Sequence, residues 1–243
     1  SRELDYFNKF SLSLKYDAMA SAFGFEYYFD PGNSEQKELS CIGHYHECTV
    51  EHNGELLVTG QILSINMTSA PERKLVQIGG YALPGVLEDC DIPPDMTLQT
   101  DGLSLRQIAQ QFCTRFNLKM VVADAVAKDM DAAFETATAK DGQNIKSYLT
   151  QLAAQKDIVI SHTTAGALWF TKAETKKTPL IEFDLTAGTM PGTTMQLQFN
   201  GQAMHSHITV RKQADADGGN EGEATVRNPY VYPKAVYRPR VIT

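Results

Sequence analysis

Two cysteines and two histidines crowd into "CIGHYHECTV", residues 41 to 50. Thiolates and imidazoles are the usual ligands of zinc, and a His-x-His pair on one strand can present two of them. Read as a strand, the stretch puts His44, His46 and Cys48 on one face and Cys41 at the opposite parity. A structural zinc site needs four ligands in tetrahedral array, and a catalytic one needs three plus water. No obvious partner motif supplies the rest: His52 sits at a hairpin turn, and His205 and His207 lie far along the chain. That second His-x-His, in "MHSHITV", makes a four-histidine site only if the two strands meet. The simpler reading is a paved hairpin face, with Cys48 as a small half-buried apolar residue. Neither a metal nor a cofactor is expected.

Other chemical-looking stretches also read as ordinary structure. "GQNIKSYLTQ" and "GLSLRQIAQQ" place glycines ahead of capped helices but match neither GxGxxG nor GxxxxGK[ST]. Glu88, Asp89, Asp91 and Asp95 of "LEDCDIPPD" could mimic an acid/base pair. They fall in a turn-rich linker with no matching histidine, so a solvated loop is expected. No Gly-x-Ser-x-Gly elbow or Cys-His-Asn arrangement occurs. The expectation is no catalytic residue and no enzyme.

These residues sit in a chain of 243 with room for two or three domains. Apolar residues make up 42% and charged residues 21%, an ordinary soluble globular balance. A net charge of −7 disfavours a general grip on nucleic acid, although DNA could still pass through such a protein without sticking. No apolar run reaches the ~20 residues of a membrane span, and "SRELDYFNKF" lacks the plan of a signal peptide. The opening also lacks Met, which suggests a piece of a longer protein. Four cysteines are too few for a disulfide scaffold, and a reducing compartment fits better.

Residues 10 to 67 read as β. "FSLSLKY" and "FGFEYYF" alternate apolar and polar positions, and the second stops at the turn signal "DPGN". "HECTVEHNGELLVTGQILSINM" is a hairpin around Asn53-Gly54, and "KLVQIGGYAL" is a further strand. After Pro93-Pro94 a helix capped by Ser104 runs through "LRQIAQQFCTRF", followed by a strand in "LKMVVAD". A second helix near "NIKSYLTQLAAQK" and a hairpin turned by "TTAG" complete an α+β unit. From residue 178 onward "LIEFDL", "TMQLQFN" and "HSHITVRKQ" read as strands. "ADADGGNEGEATVRNP" is expected to be a mobile loop, 213–228, and "YVYPKAVYRPRVIT" an extended arm re-entering a sheet. No internal repeat of fixed period is evident. The expected class is α+β, mainly β, with tube-like antiparallel β-barrel and a small inserted α+β domain. Its parts are a barrel at 1–92, the α+β domain at 93–175, and strands returning to the barrel at 176–243.

The order of elements resembles the baseplate hub proteins of contractile-tailed phages. These are the Mu-like tail protein family, related to the T-even phage hub and to the hub part of type VI secretion spikes. "FNKFSLSLKYDAMASAFGFEYYF" is similar to the family's opening barrel strands, and "CTVEHNGELLVTGQI" to its hairpin. "VQIGGYALPGVLEDCDI" resembles its strand and linker, with Gly80-Tyr81-Ala82 standing where Mu-like members carry Arg-Ser. "GLSLRQIAQQFCTRFNLKMVV" resembles the opening of its α+β domain, and "HSHITVRKQ" and "YRPRVIT" the strands leading back to the barrels.

The resemblance implies a structural virion component of the tail baseplate, assembled in the host cytoplasm. It implies a homotrimer whose barrels form a ring between the tail tube and the central spike, touching baseplate wedge proteins, with DNA passing through the lumen unbound. No membrane insertion by this chain is implied. An electronegative bore is expected, since a basic lining would hold DNA in proportion to the phosphates it neutralised. Two other classes remain. A cell-wall or carbohydrate-binding module would need an exposed aromatic platform, and the single Trp169 is expected to point into a core. A metal-dependent hydrolase would be built on His44 and His46.

Overall fold

Strand β1 (Lys9–Ser13) and strand β2 (Ala22–Tyr28) turn their alternating aromatics to a common side. Their register pairs Phe10 with Phe25 and Leu12 with Phe23. The computed structural model describes residues 7–41, 43–71, 74–173, 178, 201–212, 222–229 and 237–242. The chain divides into two compact units, Ser1–Lys177 and Thr178–Thr243.

In the first unit, β1 and β2 join β3 (Glu47–His52), β4 (Glu55–Ser69) and β5 (Lys74–Ala82) in one sheet of order β1-β2-β5-β4-β3. Every neighbouring pair in it is antiparallel. The hairpin expected at Asn53-Gly54 is present, with φ of 51° and 78°, the left-handed pair that matches the twist of two strands. Phe23, Tyr27, Val58, Ile62, Val76 and Ile78 are buried on one face. Gly80 belongs to that face because a Cβ there would collide with the Phe23 ring and the Gln61 carbonyl. The sheet is antiparallel, as expected, but among the described residues it is a curled half-barrel and not a closed barrel. Among the described residues β1 and β3 are its two free edges.

Two short helices depart from the expected pattern. "DPGN" is more than a turn: the Asn33 side chain accepts hydrogen bonds from the amides of Glu35 and Gln36 and starts helix α1 (Ser34–Leu39). Glu88 and Asp89 lie on a short helix, α2 (Val86–Asp89), where the sequence suggested a loop. Glu88 pairs through Oε2 with Lys146 at 3.0 Å while its buried Oε1 has no hydrogen-bond partner among the described residues, and Asp95 pairs with Arg115 at 2.9 Å.

Helix α3 (Leu105–Arg115) follows Ser104, whose hydroxyl and backbone form a full capping box with Gln107. It leads into β6 (Met120–Val122) and the short α4 (Ala127–Asp131). Helix α5 (Ile145–Ala154), capped by Asn144, leads into β7 (Val159–His162) and β8 (Leu168–Thr171). The three strands form a sheet of order β6-β8-β7. Contrary to the sequence reading, an internal repeat is present. Asp101-Gly102, capping Ser104, α3 and Asn117 match Asp141-Gly142, capping Asn144, α5 and Asp157 position for position. Asn117 and Asp157 end their helices alike, at φ of 53° and 54°. The helices pack Leu105, Ile108, Phe112, Ile145, Leu149 and Leu152 against Ile160, Leu168 and Phe170 of the sheet.

Segment 14–21 ties this core to the five-stranded sheet. Met19 is buried within the helical core, and the Ala82 amide donates to the Ser21 carbonyl. The His162 ring donates from Nδ1 to the Thr163 carbonyl at 3.1 Å, which leaves Nε2 to accept from the Ser21 hydroxyl at 2.7 Å. Trp169 lies on the opposite side of its strand from Leu168 and Phe170 and packs edge-on to Tyr16 at 6.2 Å between centroids. It is half-buried and points away from the helical core, contrary to expectation. Among the described residues no helix is long and apolar enough to cross a membrane.

In the second unit, β9 (His207–Lys212) pairs antiparallel with β10 (Gly222–Arg227) and parallel with β11 (Pro239–Ile242). Strand β10 falls inside the stretch expected to be a mobile loop: its β-forming pair Thr225 and Val226 lies opposite Thr209 and Ile208 of β9. The C-terminal arm re-enters the sheet as β11. Arg238 anchors it, its guanidinium donating to the carbonyls of Gln202 at 2.7 Å and Met204 at 3.1 Å. The expected strands "LIEFDL" and "TMQLQFN", and residues 213–221 of the expected loop, lie outside the described residues.

Candidate functional site: the two edges of the half-barrel sheet

The histidine-cysteine stretch is only partly a strand. β3 begins at Glu47, so Cys48 is on it while His44 and His46 precede it. Tyr45 between them adopts φ of 47°, a left-handed turn that breaks the alternation on which a shared face depends. The two imidazoles meet edge to face with centroids 5.2 Å apart, and His46 Nε2 lies 3.3 Å from the Glu38 carbonyl. His52 Nε2 bonds with the Asn53 amide at 3.2 Å. Cys48 turns into the sheet's apolar face instead, where burial first and Glu47 second push its thiol up to about 11. That places it among the inert structural thiols. Among the described residues no three His, Cys, Asp or Glu side chains come together as a metal-binding group.

Two strong hydrogen bonds elsewhere hold elements of the fold together. The Tyr81 hydroxyl donates to Asp89 at 2.5 Å, and burial followed by that bond raises its pKa. Both groups then serve to hold β5 against α2. Asp101 accepts from the Ala137 amide at 2.6 Å, from Gln99 and from Thr138, which hold its carboxyl below the usual range. It thereby fixes the loop opposite its own.

What stands open is the sheet itself. From the register, one face carries Phe10, Leu12, Phe23, Phe25, Tyr27, Ile62, Ile65, Met67, Ile78, Cys48 and Val50. The other carries Lys9, Ser11, Ser13, Glu26, Gln77, Asn66, Glu47, Thr49 and Glu51. The apolar face is well covered at its middle and thin at its margins: Phe10 is 39% exposed and Met67 51%. β4 outruns β3, which pairs only as far as Gln61, so its stretch from Ser64 to Ser69 has a partner on one side only among the described residues. Two unpaired strand edges flanked by apolar side chains are the features that another strand could complete. Alternation marks the aromatic strands but not which of them are outermost, since strand order depends on distant partners.

No family model and no curated protein sequence matches the chain. Solved structures do, among them three described as tail proteins, two of them from prophages. The tail protein of Neisseria meningitidis MC58 superposes with a TM-score of 0.72 at 16% identity, over 97% of this chain and 66% of that one. The 43 kDa tail protein of prophage MuSo2 from Shewanella oneidensis gives 0.67 at 21% identity, over 97% and 67%. Prophage tail protein gp18 of Listeria monocytogenes EGD-e gives 0.61 at 13% identity, over 98% and 67%. The likeness is one of fold, and this chain spans about two thirds of each neighbour's length.

Proposed function

We propose that the protein is a structural component of a phage tail, a baseplate hub that works by shape and not by catalysis. The observation that carries this reading is the extent of the match: 97–98% of the chain superposes on each of three tail proteins. In this reading three copies form a ring that joins the tail tube to the central spike, contacts baseplate wedge proteins and lets DNA pass. The barrel at 1–92, the α+β domain inserted at 93–175 and the returning strands at 176–243 are part of the same proposal. Closure of the half-barrel would come from assembly. Obligate contacts of this kind bury on the order of 2,000 Å² or more with apolar centres, and the margins around Phe10 and Met67 suit that. The polar face, with Glu26, Glu47 and Glu51 against Lys9, supports an acidic bore wall along which DNA slides without counterion release. The virion tail is the corresponding location.

The test is reconstitution. The full chain, mixed with tail-tube and spike proteins and viewed by electron microscopy, should appear as a ring seated between the tube end and the spike. A chain that binds neither partner would overturn the reading.

A further inference from the structure

The outermost strands of the half-barrel among the described residues, β1 and β3, differ in charge. β1 carries Lys9, with Lys15 just beyond its end, and no carboxylate within the strand. β3 carries Glu47 and Glu51, with Glu55 across the turn, and no Lys or Arg. All five side chains are exposed, and among the described residues none of them forms an ion pair. Register puts Lys9, Glu47 and Glu51 on the same, polar face of the sheet. On the reverse face, Phe10 and Leu12 mark the β1 margin and Cys48 and Val50 the β3 margin. Four antiparallel steps separate the edges, so β1 and β3 run in the same direction.

We infer that β1 of one copy pairs in parallel with β3 of the next, continuing the sheet from copy to copy. The inference rests on the ring reading above and supplies the contact that makes the ring. Such a junction sets lysine beside glutamate on one face and apolar beside apolar on the other. Direction agrees as well: copies related by rotation about an axis along the strands keep their strands parallel. The sign pattern also rejects the wrong unions. Two β1 edges would oppose lysines and two β3 edges would oppose glutamates, so the symmetric dimers that exposed edges invite are disfavoured. The remaining union is heterologous, the kind that closes into rings.

Sedimentation of the full chain over a concentration series tests this with three variants. Lys9→Glu with Lys15→Glu, and separately Glu47→Lys with Glu51→Lys, should each weaken self-association by about tenfold or more. All four substitutions in one chain invert both edges and should restore it. If both double variants associate like the parent, or the fourfold variant fails to recover, this edge contact is wrong while the ring reading stands. A parent chain that is monomeric at every concentration overturns both.

Discussion

Around α3 and α5 each apolar surface meets another, so that Leu105, Ile145, Leu149 and Phe170 are wholly buried within one continuous cluster. In the five-stranded sheet the buried residues split into two small clusters, and the aromatic character of β1 and β2 spills to the margin. The helical part is finished by its own chain. The sheet has the composition of an interior and the geometry of an edge.

Truncation separates the two regions most sharply. Phe170→Ala should cost ~3–5 kcal/mol of unfolding free energy, measured by denaturant titration, because the cavity lies in a core that cannot collapse. Phe10→Ala should leave the monomer's stability within about 1 kcal/mol and weaken self-association instead. Equal losses in stability would erase the distinction. Next in size is the cap: Ser104→Ala removes one arm of the capping box and should lower stability by ~1 kcal/mol, with the sheet's spectroscopic signature unchanged.

Acid should act on the helical part in a set direction. Asp101 and Asp131 are held below the ordinary carboxylate range, Asp101 first by the Ala137 amide and Asp131 first by Arg106. Depressed folded values mean that their stabilisation is present above the unfolded pKa of about 4 and is lost as pH falls through the folded one. Asp101→Asn should therefore flatten the acid limb of a stability-against-pH profile measured from pH 7 down. Smallest of all is a difference in thiol labelling. Exposed Cys41 should react with iodoacetamide at pH 8 well before Cys48 and Cys113, whose thiols burial pushes up to about 11.

Much of this contrast was legible in the residues. Alternation in "FSLSLKY" and "FGFEYYF" marked the strands, Asn53-Gly54 the hairpin, and Ser104 the helix start, because each depends on neighbours in sequence. Features that depend on distant partners were hidden. Strand β10 forms only with β9 alongside, and no local pattern shows that β1 and β3 would be outermost. The shared face expected for His44, His46 and Cys48 does not form: Tyr45 sits in the left-handed region and the strand begins only at Glu47, and a tyrosine gives no warning of that. The internal repeat escaped because its halves share capping and burial roles more than identities, as Phe112 and Leu152 illustrate.

In the proposed function this chain acts as a segment of a ring, through its edges. Native mass spectrometry of the full chain bears on it most directly. Three copies per particle, falling to single chains when the β1 margin is charge-reversed, is the predicted result; a lone chain at all concentrations would contradict it.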